Sequence, residues 1–148
     1  MKFKNNKAFY DYELIEQFTC GIQLLGSEVK SLRLGKCSLV GAYAIFKNNE
    51  LFTKDVHIAP YDSTNKLFNH EPLRQRKLLL NKKELKDLKI GLETAGNSII
   101  VTNIFLNDKG KFKITIMLAR GKKNHDKRNT IKDKDLKKET DRIIKNNY

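Results

Sequence analysis

The residues best suited to chemistry are concentrated near the C-terminus, at positions 120–128. Five cations, a glycine and a histidine occur there in nine residues. Cations at this density neutralise phosphates and release the counterions that surround a nucleic acid. His125 adds a planar ring that can stack on a base. A tail that only keeps the protein in solution is the alternative, but so much charge where a predicted strand meets a polar tail favours binding to a polyanion.

A second cationic group lies in the sequence Gly-Ser-Glu-Val-Lys-Ser-Leu-Arg at 26–33. On a helix, Lys30 and Arg33 are three residues apart and share a face, so the two side chains can straddle one phosphate. The alternative is an ordinary amphipathic turn that buries Val29 and Leu32 and leaves the cations in solvent.

A third group, Arg74, Arg76 and Lys77, precedes an apolar stretch. In an extended chain, alternation puts Arg74 and Arg76 on one face and Lys77 on the other. These cations form either a rim that contacts phosphates or the solvated start of a core strand, and both interpretations stay open.

No pattern in the sequence indicates catalysis. His57 and His70 have no second His or Cys at metal-ligand spacing, and Cys20 and Cys37 are not spaced as a metal or redox pair. There is no glycine-rich phosphate loop and no nucleophile elbow. A small basic nuclease would need clustered carboxylates around a metal, which the spacing of the acids does not indicate. We therefore expect a binding protein with no metal, no cofactor and no catalytic turnover.

The overall charge also indicates a polyanionic partner. The 148 residues contain 30 Lys and Arg against 17 Asp and Glu, a net charge of +13. Nucleic acid and an acidic membrane both fit such a charge, while a composition rich in Lys, Asn and Ile offers an explanation without function. No apolar run is long enough to span a bilayer and no signal peptide is evident. We therefore expect a cytoplasmic protein that binds no membrane.

The elements that must position these cations are mostly strands. Residues 7–15 and 21–26 are predicted as strands, and Asn48-Asn49 as a hairpin turn between strands 42–46 and 51–58. Helices are predicted at 28–33 and, capped by Asn81, at 82–92. The longest strands, 98–106 and 111–118, flank a turn, and residues 60–72 form a loop. In the last strand, alternation predicts a buried face from Phe112 to Leu118, with Thr115 and Met117 on the more exposed face.

This pattern predicts a mainly β protein with short helices. An OB-like closed antiparallel β-barrel with flanking α-helices is expected over residues 1–120. Residues 121–148 contain ten Lys and Arg against five Asp and Glu, with few large apolar side chains. A segment of that composition cannot bury enough surface to fold alone, so we expect a basic C-terminal tail that is disordered in isolation.

Three strings in this order resemble the SsrA-binding protein family: Glu-Val-Lys-Ser-Leu-Arg at 28–33, Arg-Lys-Leu-Leu-Leu at 76–80 and Gly-Lys-Lys-Asn-His-Asp-Lys-Arg at 121–128. The resemblance implies an OB-like barrel with three helices. It also implies a monomer that binds the tRNA-like domain of tmRNA and delivers it, with elongation factor Tu, to the A site of stalled ribosomes. A generic OB-fold ribosomal or initiation-factor-like RNA-binding protein is the alternative, but it does not explain three matching strings.

By position, the resemblance assigns two sets of residues. The expected contacts to tmRNA are Asn5, Lys7, Lys30, Arg33, Arg76, Lys77, Leu79 and Asn81. The expected contacts to the small ribosomal subunit, at the decoding centre and in the empty mRNA channel where the tail becomes helical, are Gly121, Lys122, Lys123, His125, Asp126, Lys127, Arg128, Lys134 and Lys138. One departure concerns Thr19, because the family usually has there a glutamate that contacts tmRNA.

Overall fold

Antiparallel strands are the main elements of the protein, as seen in a computed structural model that describes residues 1–61 and 69–122. Within those ranges the order of elements is β1 (Lys2–Lys4), α1 (Asn6–Asp11), β2 (Tyr12–Ile22), α2 (Gly26–Arg33), β3 (Cys37–Ser38), β4 (Tyr43–Lys47), β5 (Glu50–Lys54), β6 (His57–Ile58), β7 (Lys77–Leu79), α3 (Lys82–Leu92), β8 (Asn97–Leu106) and β9 (Phe112–Gly121). The prediction of a mainly β fold with short helices is confirmed.

Six of the strands pair in a continuous circuit. From β8 the pairing passes to β4, β5, β7, β2 and β9, and β9 pairs back with β8. β1 pairs with β8 from Lys2, opposite Phe105, to Lys4, opposite Asn103. β3 and β6 form a separate two-stranded sheet. The strands β2, β8 and β9 are the longest, and the ladder between β2 and β9 reaches from Tyr12 opposite Gly121 to Gly21 opposite Lys113.

The main core lies on the inner side of this circuit. Alternate residues of the long strands, among them Ile104, Ile114 and Ile116, are completely buried there. Helix α2 adds Leu32 and helix α3 adds Leu88, both also fully buried. Each such side chain stabilises the fold by about 1.5–3 kcal/mol through its removal from water.

The outer face of β9 is buried as well, so the prediction that it would be the more exposed face is wrong. Thr115 and Met117 are both buried. Met117 belongs to a second apolar cluster with Ala8, Ile100 and Ala119. Ala8 comes from α1, which covers this part of the sheet. Strand alternation describes one strand at a time and does not show that a helix distant in sequence will cover its polar side.

The strand predicted at 7–15 is wrong in its first half. Residues up to Asp11 belong to helix α1, and β2 begins only at Tyr12. The turn before the helix is fixed by long-range bonds. The backbone N–H of Asn5 donates to Thr102 O at 2.8 Å, and its side-chain amide donates to Val101 O at 3.0 Å. These contacts to β8 outweigh the local preference for strand, which is weak and dependent on context. The strand predicted at 21–26 is only the end of β2.

The predicted turn at Asn48-Asn49 and the predicted cap at Asn81 are confirmed. Asn48 and Asn49 have φ angles of 53° and 64°, the left-handed conformation that a two-residue hairpin requires. Asn81 caps α3, since its side chain accepts from the N–H of Glu84 at 2.8 Å and the Glu84 carboxylate accepts from the N–H of Asn81 at 3.1 Å. Both signals are local, so the sequence alone suffices to predict them.

Gly91 marks the closest approach of α3 to β9. A Cβ added at this position would lie 2.2 Å from Cδ2 of Leu118, which is itself buried. We expect Gly91→Ala to lower the free energy of unfolding by about 1–3 kcal/mol, because overpacking forces neighbours off their rotamers. Gly26→Ala is the control, since an added Cβ meets nothing within 4 Å there. Urea denaturation of both variants checks this, and equal stabilities would contradict the close packing.

Candidate nucleic-acid interface

Arg76 is buried, which corrects its predicted place on an RNA-contacting rim. Its side chain is completely inaccessible and forms an ion pair, through Nε, with the equally inaccessible carboxylate of Glu28. Its other nitrogens donate to Val56 O at 2.7 Å and Pro72 O at 3.2 Å. An arginine that is inaccessible to solvent and bonded inside the protein through all three of its nitrogens is not available to a phosphate. The physical reason is that Glu28, in the first turn of α2, needs a buried cation to compensate its charge.

Glu28 is the centre of a network that joins three parts of the chain. Arg74 donates to Oε1 from Nη2 at 2.6 Å, and the N–H of Leu25 donates to the same oxygen at 2.7 Å. Arg74 also reaches Gln23 O at 3.2 Å, at the end of β2. Helix α2, the end of β2 and the segment that leads into β7 are therefore held by one carboxylate.

Burial alone would raise the pKa of Glu28. Hydrogen bonds from Arg74 and Leu25, together with the charge of Arg76, outweigh burial and hold that pKa below its ordinary value. Burial lowers the pKa of Arg76 despite the attraction of Glu28. The guanidinium starts so far above neutrality that it keeps its charge. The pair is ionised in the folded protein at neutral pH.

A second bond fixes the start of α2. His70 is buried, and its Nε2 lies 2.8 Å from the carbonyl of Ile58 while its Nδ1 lies 2.8 Å from the hydroxyl of Ser27. A carbonyl only accepts, so Nε2 donates to Ile58 O, while Nδ1 and the Ser27 hydroxyl share the second hydrogen bond. Both ring nitrogens are thus used to hold α2 against β6.

The exposed face of this anchored helix carries Lys30 and Arg33, as predicted. The ammonium of Lys30 lies 5.2 Å from the centroid of the Tyr61 ring, and Tyr61 is 43% exposed. Tyr61 was not among the predicted site residues, since it lies in the irregular stretch 60–72 where no periodicity marks it. An exposed aromatic ring beside a cation is a suitable surface for a base and its phosphate.

Three further predicted residues lie on β7 and just after it. Lys77 pairs with Glu50 at 3.1 Å, with about a third of its side chain exposed. Leu79 is 47% exposed and lies opposite Gly21, where an added Cβ would come within 3.2 Å of Leu79 Cβ. Asn81 is exposed, with its side chain engaged in capping α3. The structure thus brings Lys77, Leu79 and Asn81 together in one stretch at the surface.

The two residues predicted to contact RNA near α1 differ in their exposure to solvent. Lys7 is exposed, but Asn5 is 6% exposed and its amide is bonded to Val101 O, so the role that its contacts define is to anchor α1.

The predicted ribosome-facing segment begins at the end of β9. Gly121 is exposed opposite Tyr12, and the N–H of Lys122 donates to Asp11 O at 2.9 Å. Lys123, His125, Asp126, Lys127, Arg128, Lys134 and Lys138 lie outside the described residues. The origin of this segment is therefore fixed beside α1.

The described residues can also be examined for metal binding, membrane spanning and reactive cysteines. Within residues 1–61 and 69–122, no group of three or more His, Cys, Asp or Glu side chains is placed to hold a metal ion, and no helix is long and apolar enough to cross a membrane. Burial raises the pKa of Cys20 to about 12 and that of Cys37 to about 11. Both thiols are therefore protonated at neutral pH and are poor nucleophiles.

Comparison with known proteins identifies the family. The family described as SmpB protein matches residues 2–146. The chain belongs to the SmpB family. The SsrA-binding protein of Phocaeicola vulgatus is 47% identical over 147 residues, covering 98% of this chain and 96% of the relative. The SsrA-binding protein of Thermosynechococcus vestitus is 43% identical over 142 residues, covering 96% of this chain and 93% of the relative.

A solved structure described as "tmRNA-SmpB: a journey to the center of the bacterial ribosome" has a similar fold. Its TM-score is 0.69 at 41% sequence identity, and the match covers 83% of this chain and 85% of the other. The mainly β architecture with three helices in the described residues is thus that of an SmpB-family protein.

The Glu28–Arg76 pair gives a test of stability. We expect Glu28→Gln to lower the free energy of unfolding by about 3–5 kcal/mol, because it leaves a buried guanidinium uncompensated. Glu50→Gln, which breaks the exposed pair with Lys77, should cost about 0–1 kcal/mol. Chemical denaturation at neutral pH checks both values. Equal losses in the two variants would mean that the buried pair does not hold the fold together.

The same pair predicts a dependence on pH. Because the pKa of Glu28 is lower in the folded than in the unfolded protein, its contribution is fully present above the unfolded pKa. The contribution is lost as the pH falls through the folded pKa. The stability of the parent protein should therefore fall more steeply towards acid pH than that of Glu28→Gln, and parallel curves would contradict this.

Proposed function

We propose that this protein binds the tRNA-like domain of tmRNA and delivers it to the A site of stalled ribosomes, for rescue of the ribosome and tagging of the incomplete product. Membership of the SmpB family along nearly the whole chain is the observation that carries this proposal. The net charge of +13 suits a protein that joins two RNAs. A generic OB-fold ribosomal binder is not favoured, because the family match is specific.

The surface that we propose for tmRNA combines the exposed residues on two elements. Lys30 and Arg33 extend from α2, and Lys77, Leu79 and Asn81 follow along β7 to the start of α3, with Lys7 on α1 as a further phosphate contact. Arg76 supports this surface from within, since its bond to Glu28 fixes α2 relative to β7. It is therefore a positioning residue. Asn5 has the same role for α1.

The second RNA surface is the basic C-terminal segment. We assign Gly121 to Arg128 to the decoding centre, with His125 stacking on a ribosomal base, and Lys134 and Lys138 to the mRNA channel, where the tail becomes helical. The charge of 121–148 and its shortage of apolar residues support a tail that orders only on a polyanion.

The remaining assignments follow from the same proposal. We interpret the circuit of six strands as an OB-like closed barrel over residues 1–120, with 121–148 as a separate tail. The protein acts as a monomeric cytoplasmic adaptor without catalytic turnover, in a delivery complex with elongation factor Tu.

Binding of labelled RNA tests the tmRNA assignment. The full chain should bind the tRNA-like domain more tightly than an unrelated RNA of equal length at matched salt, and equal affinities would refute the assignment. Lys30→Ala with Arg33→Ala should weaken this binding and reduce the slope of log affinity against log salt by about one per lost phosphate contact, without lowering the melting temperature. Lys109→Ala with Lys111→Ala, in the β8–β9 turn, removes the same charge and should leave binding unchanged.

Truncation separates the two RNA surfaces. A chain lacking residues 129–148 should bind the tRNA-like domain as the full chain does, because the surface on α2 and β7 is intact. It should not support tagging on ribosomes stalled at the end of an mRNA, measured in a reconstituted translation system. Loss of tmRNA binding on truncation would contradict the division of roles.

A further inference from the structure

One edge of the sheet is open within the described residues. In that part of the chain, the side of β2 that faces away from β9 pairs only at Gly21 and Ile22, with β7. From Glu13 to Gln17, every residue of β2 is exposed. Leu14 is 45% exposed and Ile15 is 51% exposed. An unpaired strand edge presents free N–H and C=O groups, so a further extended segment can add to β2 there.

This edge is acidic in a protein whose net charge is +13. From residue 8 to residue 29 the sequence has no Lys or Arg, and this is its longest interval without one. Glu13 pairs with Arg120 at 2.6 Å, but both side chains are 57% exposed, so the pair is weak and can exchange partners. Glu16 is exposed and has no ion-pair partner among the described residues. Two carboxylates are therefore available beside Leu14 and Ile15.

Charge decides what can occupy the edge. Carboxylates repel phosphates, which disfavours RNA. If two copies of the chain paired in antiparallel fashion about Leu14 and Ile15, Glu13 of each copy would lie opposite Glu16 of the other. Like charges directly opposite each other destabilise a pair of strands, so a second copy is disfavoured too. A basic segment that also has apolar side chains can pair with the carboxylates and cover Leu14 and Ile15.

The chain itself contains such a segment at 129–138, which lies outside the described residues. Four lysines, two aspartates, one isoleucine and one leucine occur in these ten residues. Strand β9 ends at Gly121, opposite Tyr12, which directly precedes Glu13. The chain from 122 to 129 can span about 23 Å when extended, against roughly 17 Å for the stretch 13–17. The tether also keeps the segment at a high effective concentration, on the order of millimolar.

We propose that residues 129–138 lie along the free edge of β2 when no RNA is bound, and that RNA displaces them. In this arrangement the two apolar side chains of the segment contact Leu14 and Ile15, and its lysines lie beside Glu13 and Glu16. The acidic edge acts as a weak polyanion within the molecule, so it restrains the tail but gives way to a nucleic acid. The proposal rests on the RNA-binding function proposed above for the tail and adds its regulation, because the lysines reach the mRNA channel only after they leave the edge.

A spin label tests the contact in the full chain. Thr140→Cys places a thiol just beyond the segment, and a nitroxide reagent at neutral pH selects it, because burial keeps Cys20 and Cys37 protonated. At low salt the label should broaden the amide NMR signals of residues 13–17. Glu13→Gln with Glu16→Gln should lose that broadening. The control, Asp55→Asn with Asp108→Asn, removes two exposed acids elsewhere and should keep it. Equal broadening in the two double variants overturns the proposal.

Added RNA should release the segment. Saturating hexauridine should restore the broadened signals of the labelled chain. The variant Glu13→Gln with Glu16→Gln should also bind hexauridine about threefold more tightly than the control double variant, because its tail is already free. Broadening that persists when hexauridine is bound means that the segment does not compete with RNA, and it contradicts the proposal.

A mixture of two samples detects a second copy at the edge. One sample contains the spin label but no isotope, and the other contains the isotope but no spin label. If the first broadens the signals of residues 13–17 in the second, the edge binds another molecule of the protein and the intramolecular assignment is wrong. Signals that stay sharp in the mixture, with broadening in the singly prepared chain, support the proposal.

Parallel binding of the tRNA-like domain separates this inference from the proposed function. If the parent protein does not prefer that domain over an unrelated RNA, the tmRNA assignment fails, and the label still decides whether the tail lies on the edge. If the protein prefers that domain but the label never broadens the signals of residues 13–17, only the docking of the tail is wrong.

Discussion

Glu28 is buried in the first turn of α2, and most of the hydrogen bonds that compensate its charge come from other parts of the chain. Arg76 and Arg74 reach it across more than forty residues of sequence, and both precede β7. Isolated, either Glu28 or Arg76 would destabilise the interior, so each is tolerable only when the other is in place, and the partly exposed Arg74 adds a further bond to the same carboxylate. The orientation of α2 and its exposed cations follows from this mutual dependence, as does the path of the chain into β7.

Features set by neighbouring residues were predictable from the sequence. The left-handed Asn48-Asn49 turn and the capping box between Asn81 and Glu84 depend on side chains within three residues of one another. The exposed pair Lys30 and Arg33 follows from helical spacing. The family resemblance, carried by three strings, was confirmed by the match along nearly the whole chain.

Features set by distant contacts were not predictable in this way. Residues 7–15 have the composition of a strand, yet the bonds from Asn5 to β8, more than ninety residues away, fix a helix there. Arg76 stands among cations in sequence, and alternation cannot tell a surface arginine from one that neutralises a buried carboxylate. Tyr61 carries no local signal, because its place beside Lys30 depends on how the chain returns to α2.

The paired end of β9 has a mechanical consequence. Arg120 lies opposite Asn97 of β8 and Glu13 of β2, and Gly121 lies opposite Tyr12, so the strand is held on both sides up to the point where the tail begins. Tension applied where β9 ends is directed along the strand and loads the ladders on its two sides in shear. Many hydrogen bonds then resist together, whereas a strand peeled from an edge would lose them one after another. The described part of the chain can therefore be pulled at the end of β9 while it stays folded.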